Sequence, residues 1–420
     1  MNVTNRAFAL LALLVILAGA AAPSHAATPE RRTWITTWTA APQPLWNGDF
    51  ALPTNVPYHL WNQTVRQTAR VSLGGARVRV RLSNEYGDTP LTIGAAHVAL
   101  AGKGAGIVTA SDRTLTFGGQ PSVTIPPGAP VLSDPVELAV AALGEVSVSL
   151  YLPSPTPPAT FHWDARQTAY IGAGNQTGAA TLKADATLTT RVFLSAIEVE
   201  AAPATRTVVA IGDSITDGNM ATMDANTRWP DVLNQRLVGR DIAVLNAGIS
   251  GARVLSDKMG VNALARFDRD VLAQPGITAV IVLMGINDIS WHGTPLAPDG
   301  DATQAEDLIV GYRQLIARAH TRSVRIVGAT LTPFEGALQD TPMRGYFTAD
   351  KERVRQAVNA WIRNSGEFDA VIDFDAATRD PSRLTRLLPA YDSGDHLHPG
   401  DAGYRAMAES IDLRALLGTP

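Results

Sequence analysis

Two patterns of apolar and polar positions divide the chain. Between about residues 33 and 200, apolar and polar residues alternate over short stretches. Arg77-Val78-Arg79-Val80-Arg81-Leu82 and Val146-Ser147-Val148-Ser149-Leu150-Tyr151-Leu152 are the clearest. A period of two gives a strand with one face in the core and one in water. Gly74-Gly75, Gly118-Gly119, Pro126-Pro127-Gly128 and the proline-rich stretch 153–158 punctuate these strands as turns. From about residue 204 the pattern changes. Near-continuous apolar runs occupy 207–211, 242–245, 277–284, 324–329 and 370–374, as parallel strands covered on both faces require. Helical periodicity fills 228–238, 305–320, 348–363 and 402–417. Five such units predict a doubly wound, flavodoxin-like α/β domain with a five-stranded parallel sheet over 204–420. An all-β sandwich or jelly-roll-like domain over 27–203 precedes it, with the boundary at Ala201-Ala202-Pro203.

The remaining apolar run, residues 7–22, follows Arg6 and ends in Ala22-Pro23-Ser24-His25-Ala26. At 1.5 Å per residue it reaches roughly 24 Å, short of the roughly 30 Å hydrocarbon core. Small residues at Ser24 and Ala26 suit a signal peptidase, so 1–26 is read as a cleaved signal peptide. The mature chain is expected to be secreted or periplasmic, without stable membrane insertion.

Composition narrows the chemistry. The 420 residues carry 35 basic and 39 acidic side chains, a formal charge of −4, so no basic field points to nucleic acid. With no cysteine, disulfides, thiolate metal sites and a cysteine nucleophile are excluded. A secreted chain without disulfides must hold together by the size of its core. The eight histidines form no His-x-x-x-His pair. No metal or other cofactor is expected.

Candidate chemistry sits at the strand ends. The first parallel run ends in Gly212-Asp213-Ser214-Ile215-Thr216-Asp217-Gly218, where an open α/β sheet presents ligand groups. A serine hydroxyl there needs a base. Asp395-His396-Leu397-His398-Pro399 supplies one before the last helix. Asp395 and His398 are three apart, so the carboxylate can hold one ring nitrogen while the other faces the serine. His396 is the nearer rival, but it points elsewhere on the chain. Asn246-Ala247-Gly248-Ile249-Ser250-Gly251 ends the second strand and Gly285-Ile286-Asn287-Asp288 the third. A glycine N–H and an asparagine amide are donor types that stabilise a developing alkoxide.

Together these four blocks resemble the SGNH (GDSL-type) hydrolase superfamily over about residues 206–413. The resemblance implies Ser214 as nucleophile, His398 as base and Asp395 as its orienting acid. It implies an oxyanion hole of the Ser214 N–H, the Gly248 N–H and the Asn287 side chain. Asp213 is expected to shape the turn rather than react. The implied activity is carboxylic ester hydrolysis through an acyl-enzyme.

The β domain opens with Trp34 and Trp38 and closes with Phe161-His162-Trp163-Asp164 and Tyr170. These aromatics either stack on sugar rings or fill a core or domain interface, the latter being the commoner fate. The expected substrate is a small-molecule or polysaccharide ester, with O-acetyl or other short acyl esters on carbohydrate foremost. A lipase, lysophospholipase, arylesterase or acyltransferase is the alternative on the same triad. A carbohydrate-binding pair with a decayed site, or a glycosidase using Asp213 and Asp217, would leave Ser214, Asn287 and His398 unexplained. Oligomeric state is not legible.

Overall fold

The computed structural model describes residues 32–418 apart from Asn47 and Asp49. The signal peptide expected over 1–26 lies outside the described residues. No described helix is long and apolar enough to cross a membrane.

The N-terminal region is all-β. One sheet joins β1 (Thr33–Thr39), β8 (Leu194–Ala201), β3 (Gly75–Ser83) and β5 (Val136–Val140) in that order. A second contains β7 (Ala169–Ala173), β2 (Gln63–Arg70), β6 (Glu145–Leu152) and β4 (Ala95–Leu100). All these pairings are antiparallel. The alternating stretches lie on β3 and β6. Val78, Val80 and Leu82 of the first sheet share one core with Val146, Val148 and Leu150 of the second, which makes a sandwich. Their arginine neighbours face outward, where Arg79 and Arg81 both pair with Glu198.

The second region is an α/β fold around a five-stranded parallel sheet. Its strands are β9 (Arg206–Gly212), β10 (Ile242–Gly248), β11 (Ile277–Leu283), β12 (Arg325–Ala329) and β13 (Ala370–Ile372), ordered β10-β9-β11-β12-β13. Strand order reverses beside β9, so a crevice opens at its carboxyl end. The strands are buried nearly throughout, in a core that includes Val208, Ile211, Leu245, Ile281 and Ile326. Helices Trp229–Leu237, Ala305–Thr321 and Ala349–Asn364 fall where periodicity places them. Strand β10 runs three residues past its apolar run, to Gly248, and two other boundaries differ from the pattern. The run 370–374 stops as a strand at Ile372, because Asp373 caps a helix by accepting from Ala376 N. The expected helix 402–417 is two, Asp401–Ser410 and Leu413–Leu417, because Asp412 caps the second through Arg414 N and Ala415 N. An aspartate whose side chain takes the backbone donors starts a new helix rather than continuing the old one.

Candidate active site

A short helix, α1 (Ser214–Asp217), begins directly after β9. Asp213 caps it, its Oδ1 accepting from Ile215 N at 3.0 Å. Ser214 therefore stands at the first helical position, with its hydroxyl at the carboxyl end of β9. From the far end of the chain, the turn before helix Asp401–Ser410 brings His398 to it. His398 Nε2 lies 2.7 Å from Ser214 Oγ, and His398 Nδ1 lies 2.6 Å from Asp395 Oδ2. With Nδ1–H donated to the carboxylate, Nε2 is the lone-pair nitrogen facing the hydroxyl.

Asp395 is held on several sides. It accepts from the backbone N–H groups of Leu397 and His398 and from the Ser393 hydroxyl. Burial would raise its pKa, but the bond to His398, that ring's charge and the two N–H groups outweigh it and keep the carboxyl well below the usual range. His396, the rival, turns away: its Nδ1 meets Asp392 Oδ2 at 2.5 Å.

Asn287 lies on a five-residue helix, Ile286–Ser290, after β11. Its amide orientation is set from both sides. Oδ1 accepts from Trp291 Nε1 at 3.0 Å and from Tyr346 Oη at 2.7 Å, while Nδ2 donates one hydrogen to Ala252 O at 3.0 Å. One Nδ2 hydrogen is left for the cleft.

Gly248 is a correction. Its N–H is donated to Asn246 Oδ1 at 2.9 Å, and it does not line the cleft. A Cβ there would come within 2.3 Å of Asp217 N, so this glycine serves the close approach of β10 to α1. Gly251, three residues on, does line the cleft with Ser214 and Asn287. Its φ is +76°, and its N–H, like that of Ser214, has no backbone acceptor among the described residues. The block was legible as Asn-Ala-Gly-Ile-Ser-Gly, but which glycine faces the serine depends on the turn after β10.

The cleft has a volume of about 410 Å³. Beyond the reacting groups its wall is mostly apolar: Met259, Trp291, Leu296, Leu338, Met343 and Leu397. The β region completes it with Leu52 and Trp163. The segment Phe161–Asp164 thus has a role that spacing did not reveal. Trp163 lines the cleft. Asp164 accepts from Asn219, also in the cleft wall, at 2.8 Å. His162 Nε2 meets Asp217 Oδ1 at 2.9 Å, and Asp217 Oδ2 accepts from the Ser250 N–H and hydroxyl at 2.9 and 2.8 Å. A carboxylate from α1 therefore couples the β region to the loop carrying Gly251. Both ring nitrogens of His162 face acceptors, Asp217 and the Ala41 carbonyl, which calls for the doubly protonated ring. Burial alone would lower its pKa, but the charge and bond of Asp217 and the Ala41 carbonyl outweigh that and hold it raised.

Of the other aromatics, Trp38 and Phe161 are core residues. Trp34 lies under the Arg79 guanidinium, 4.5 Å from ring centre to charge. Two buried carboxyls flank the site. Burial lifts Asp213 to about 7 and Asp288 to about 6. Among the described residues no group of His, Asp and Glu is arranged to hold a metal ion.

Residues 208–411 match the model of a family described as GDSL-like lipase/acylhydrolase. Solved structures resemble about half of the chain. An acetylxylan esterase, Axe2, from Geobacillus stearothermophilus is 26% identical and covers 50% of this chain and 94% of its own, with a TM-score of 0.37. An aryl esterase from M. smegmatis is 17% identical and covers 51% and 100%, with a TM-score of 0.40. A GDSL-like lipase from Bacteroides thetaiotaomicron is 19% identical and covers 50% and 87%, with a TM-score of 0.37. No curated protein matches the sequence.

Proposed function

Because residues 208–411 are a GDSL-like lipase/acylhydrolase domain and the chain is therefore a carboxylic ester hydrolase, we propose that Ser214, His398 and Asp395 carry out the reaction through an acyl-enzyme. The observation that carries this reading is the unbroken relay Ser214 Oγ–His398 Nε2, His398 Nδ1–Asp395 Oδ2, at 2.7 and 2.6 Å, opening into the cleft. Ser214 Oγ attacks the ester carbonyl as His398 takes its proton. The resulting imidazolium is stabilised by Asp395 and returns the proton to the leaving alkoxide. Water, activated by the same ring, then releases the acid. The carbonyl oxygen becomes an anion in the transition state, and its donors are the Ser214 N–H, the Gly251 N–H and the free Asn287 Nδ2 hydrogen.

For substrate, the apolar wall of Leu52, Trp163, Met259, Trp291, Leu296 and Met343 favours esters with a compact hydrophobic acyl or aryl group. A volume of about 410 Å³ is that of a site for a small organic molecule. The second reading is an O-acetyl or other short acyl ester on carbohydrate. Exposed Tyr58 and Trp61, at 88% and 65%, offer faces on which a sugar ring could rest. With the signal peptide read over 1–26, the enzyme acts outside the cytoplasm.

The test is a series of p-nitrophenyl esters from acetate to decanoate, together with acetylated xylan, on the wild type and Ser214→Ala. The variant is expected to lose about 10⁴-fold or more in kcat while keeping the wild-type circular dichroism spectrum and melting temperature. Turnover within tenfold of wild type would remove Ser214 as nucleophile. A maximum at butyrate to hexanoate supports the hydrophobic reading, and acetate release from xylan exceeding that from the aryl esters supports the carbohydrate one.

A further inference from the structure

Among the described residues, Arg66 and Lys351 are buried without an ion pair but give their N–H groups to carbonyl and hydroxyl oxygens. Arg191 is buried without an ion pair and without such a set of acceptors. Arg191 lies on a two-residue strand paired with Thr160–His162, and it is 2% exposed. Its Nη2 donates to Gln167 Oε1 at 3.1 Å, and its guanidinium stands 5.4 Å from the centre of the Trp38 ring. Nε and Nη1 have no acceptor among the described residues. A lysine or histidine so placed could shed its proton, but a guanidinium does not. Burial, with Arg228 nearby, pushes it down only to about 9, so it stays charged at neutral pH. A buried charge with no partner is strongly destabilising.

Beside Arg191 lies a cavity of about 30 Å³ between the β region and the α/β region. That is room for roughly two water molecules or one monatomic anion. Its ionisable lining is Arg70, Arg191, Arg228 and His162 against Asp217 and Asp231. Both acids are committed, Asp231 to Arg228 at 2.5 Å and Asp217 to His162 at 2.9 Å. Arg70 and Arg191 are left over. Glu145 stands opposite Arg70 across the strand pair but accepts from Asn226. The charge of Asp224 reaches Arg191, but its oxygens accept from the Thr168 N–H and hydroxyl and form no ion pair with the guanidinium. The cavity is therefore lined by two arginines that form no ion pair and by guanidinium N–H groups without an acceptor among the described residues.

We propose that this cavity binds one chloride ion, which pairs with Arg191 and joins the two regions beside the His162–Asp217 contact. Water would satisfy the N–H groups but bring no counter-charge into contact with the guanidinium. A monatomic anion does both. The inference does not depend on the esterase reading, since neither Arg191 nor Arg70 lines the cleft.

Crystals grown in sodium bromide and measured at the bromine edge provide the direct test. An anomalous peak is expected in the cavity within hydrogen-bonding distance of Arg191. In solution, the melting temperature of the wild type is compared in sodium chloride and sodium gluconate at equal ionic strength. A saturating rise of about 2–4 °C with chloride is expected. Arg191→Met should show no chloride dependence, and in gluconate it should be no less stable than the wild type. No peak in the cavity, or peaks only at surface arginines, together with equal melting in the two salts, overturns the proposal. Should Arg191→Met fail to fold, the bromide peak and the wild-type comparison decide alone.

Discussion

Ser214 and His398 are 8% and 7% exposed, so the hydroxyl and imidazole meet in a site largely closed to water. A hydrogen bond there is electrostatically stronger than the same bond in bulk solvent. Asn287 illustrates how much of such a site is orientation. Two donors, Trp291 and Tyr346, fix Oδ1, which forces Nδ2 to the other side. Asn287→Ala is expected to lower kcat by about 10²–10³, read from steady-state rates on the best ester of the series. Asp213 leads to a pH prediction. Its pKa is raised to about 7 because burial disfavours the charged form, and its Oδ2 has no partner. An acid raised in the folded state destabilises the fold once pH exceeds its unfolded value near 4, and the penalty is complete above about 7. Asp213→Asn keeps the helix cap and removes the ionisation. It should be more stable than the wild type at pH 8, by about 1–3 kcal/mol, and melt higher, with the difference vanishing near pH 4. A lower melting temperature at pH 8 would refute the raised pKa.

At the scale of elements, the two glycines after β10 do different work. Gly248 lets the strand approach α1, and a Cβ there would strike Asp217 backbone atoms that cannot move aside. Gly248→Ala should therefore cost about 1–3 kcal/mol of stability, measured by denaturant unfolding. Gly251 has a positive φ, and a Cβ there would meet the Met259 side chain, which can shift. Gly251→Ala should show itself mainly in kcat, with KM nearly unchanged, because a displaced N–H weakens the transition state more than the ground state. Equal losses in kcat and 1/KM would argue against Gly251 as a donor. The parallel strands were legible from their apolar runs to within three residues, since a strand covered on both faces has no polar side to blur it. Helix ends were less so: Asp373 and Asp412 act as caps only because their side chains reach backbone donors.

For the molecule as a whole, the β region is part of the active site's support. His162 reaches across to Asp217, and Trp163 and Leu52 wall the cleft. Because the folded pKa of His162 is raised, its contribution is complete below the unfolded value near 6.5 and is lost as pH rises through the folded value. Melting temperature should thus decline on the alkaline side. His162→Ala removes one partner of a buried pair and is expected to cost about 3–5 kcal/mol, together with that alkaline dependence. An unchanged pH profile in the variant would show that the contact is not what titrates.

What the sequence by itself determined was local. The period of apolar residues separated sandwich from α/β sheet, and the Gly-Asp-Ser turn and the Asp-x-x-His spacing each act within one turn of chain. Tertiary structure decided everything that joins distant segments. Ser214 and His398 are 184 positions apart and meet only because the turn carrying His398 packs at the carboxyl end of β9. The choice of Gly251 over Gly248, the apolar cleft and the use of Phe161–Asp164 depend on how loops pack. Loop conformation follows from contacts made across the fold, which local periodicity does not encode.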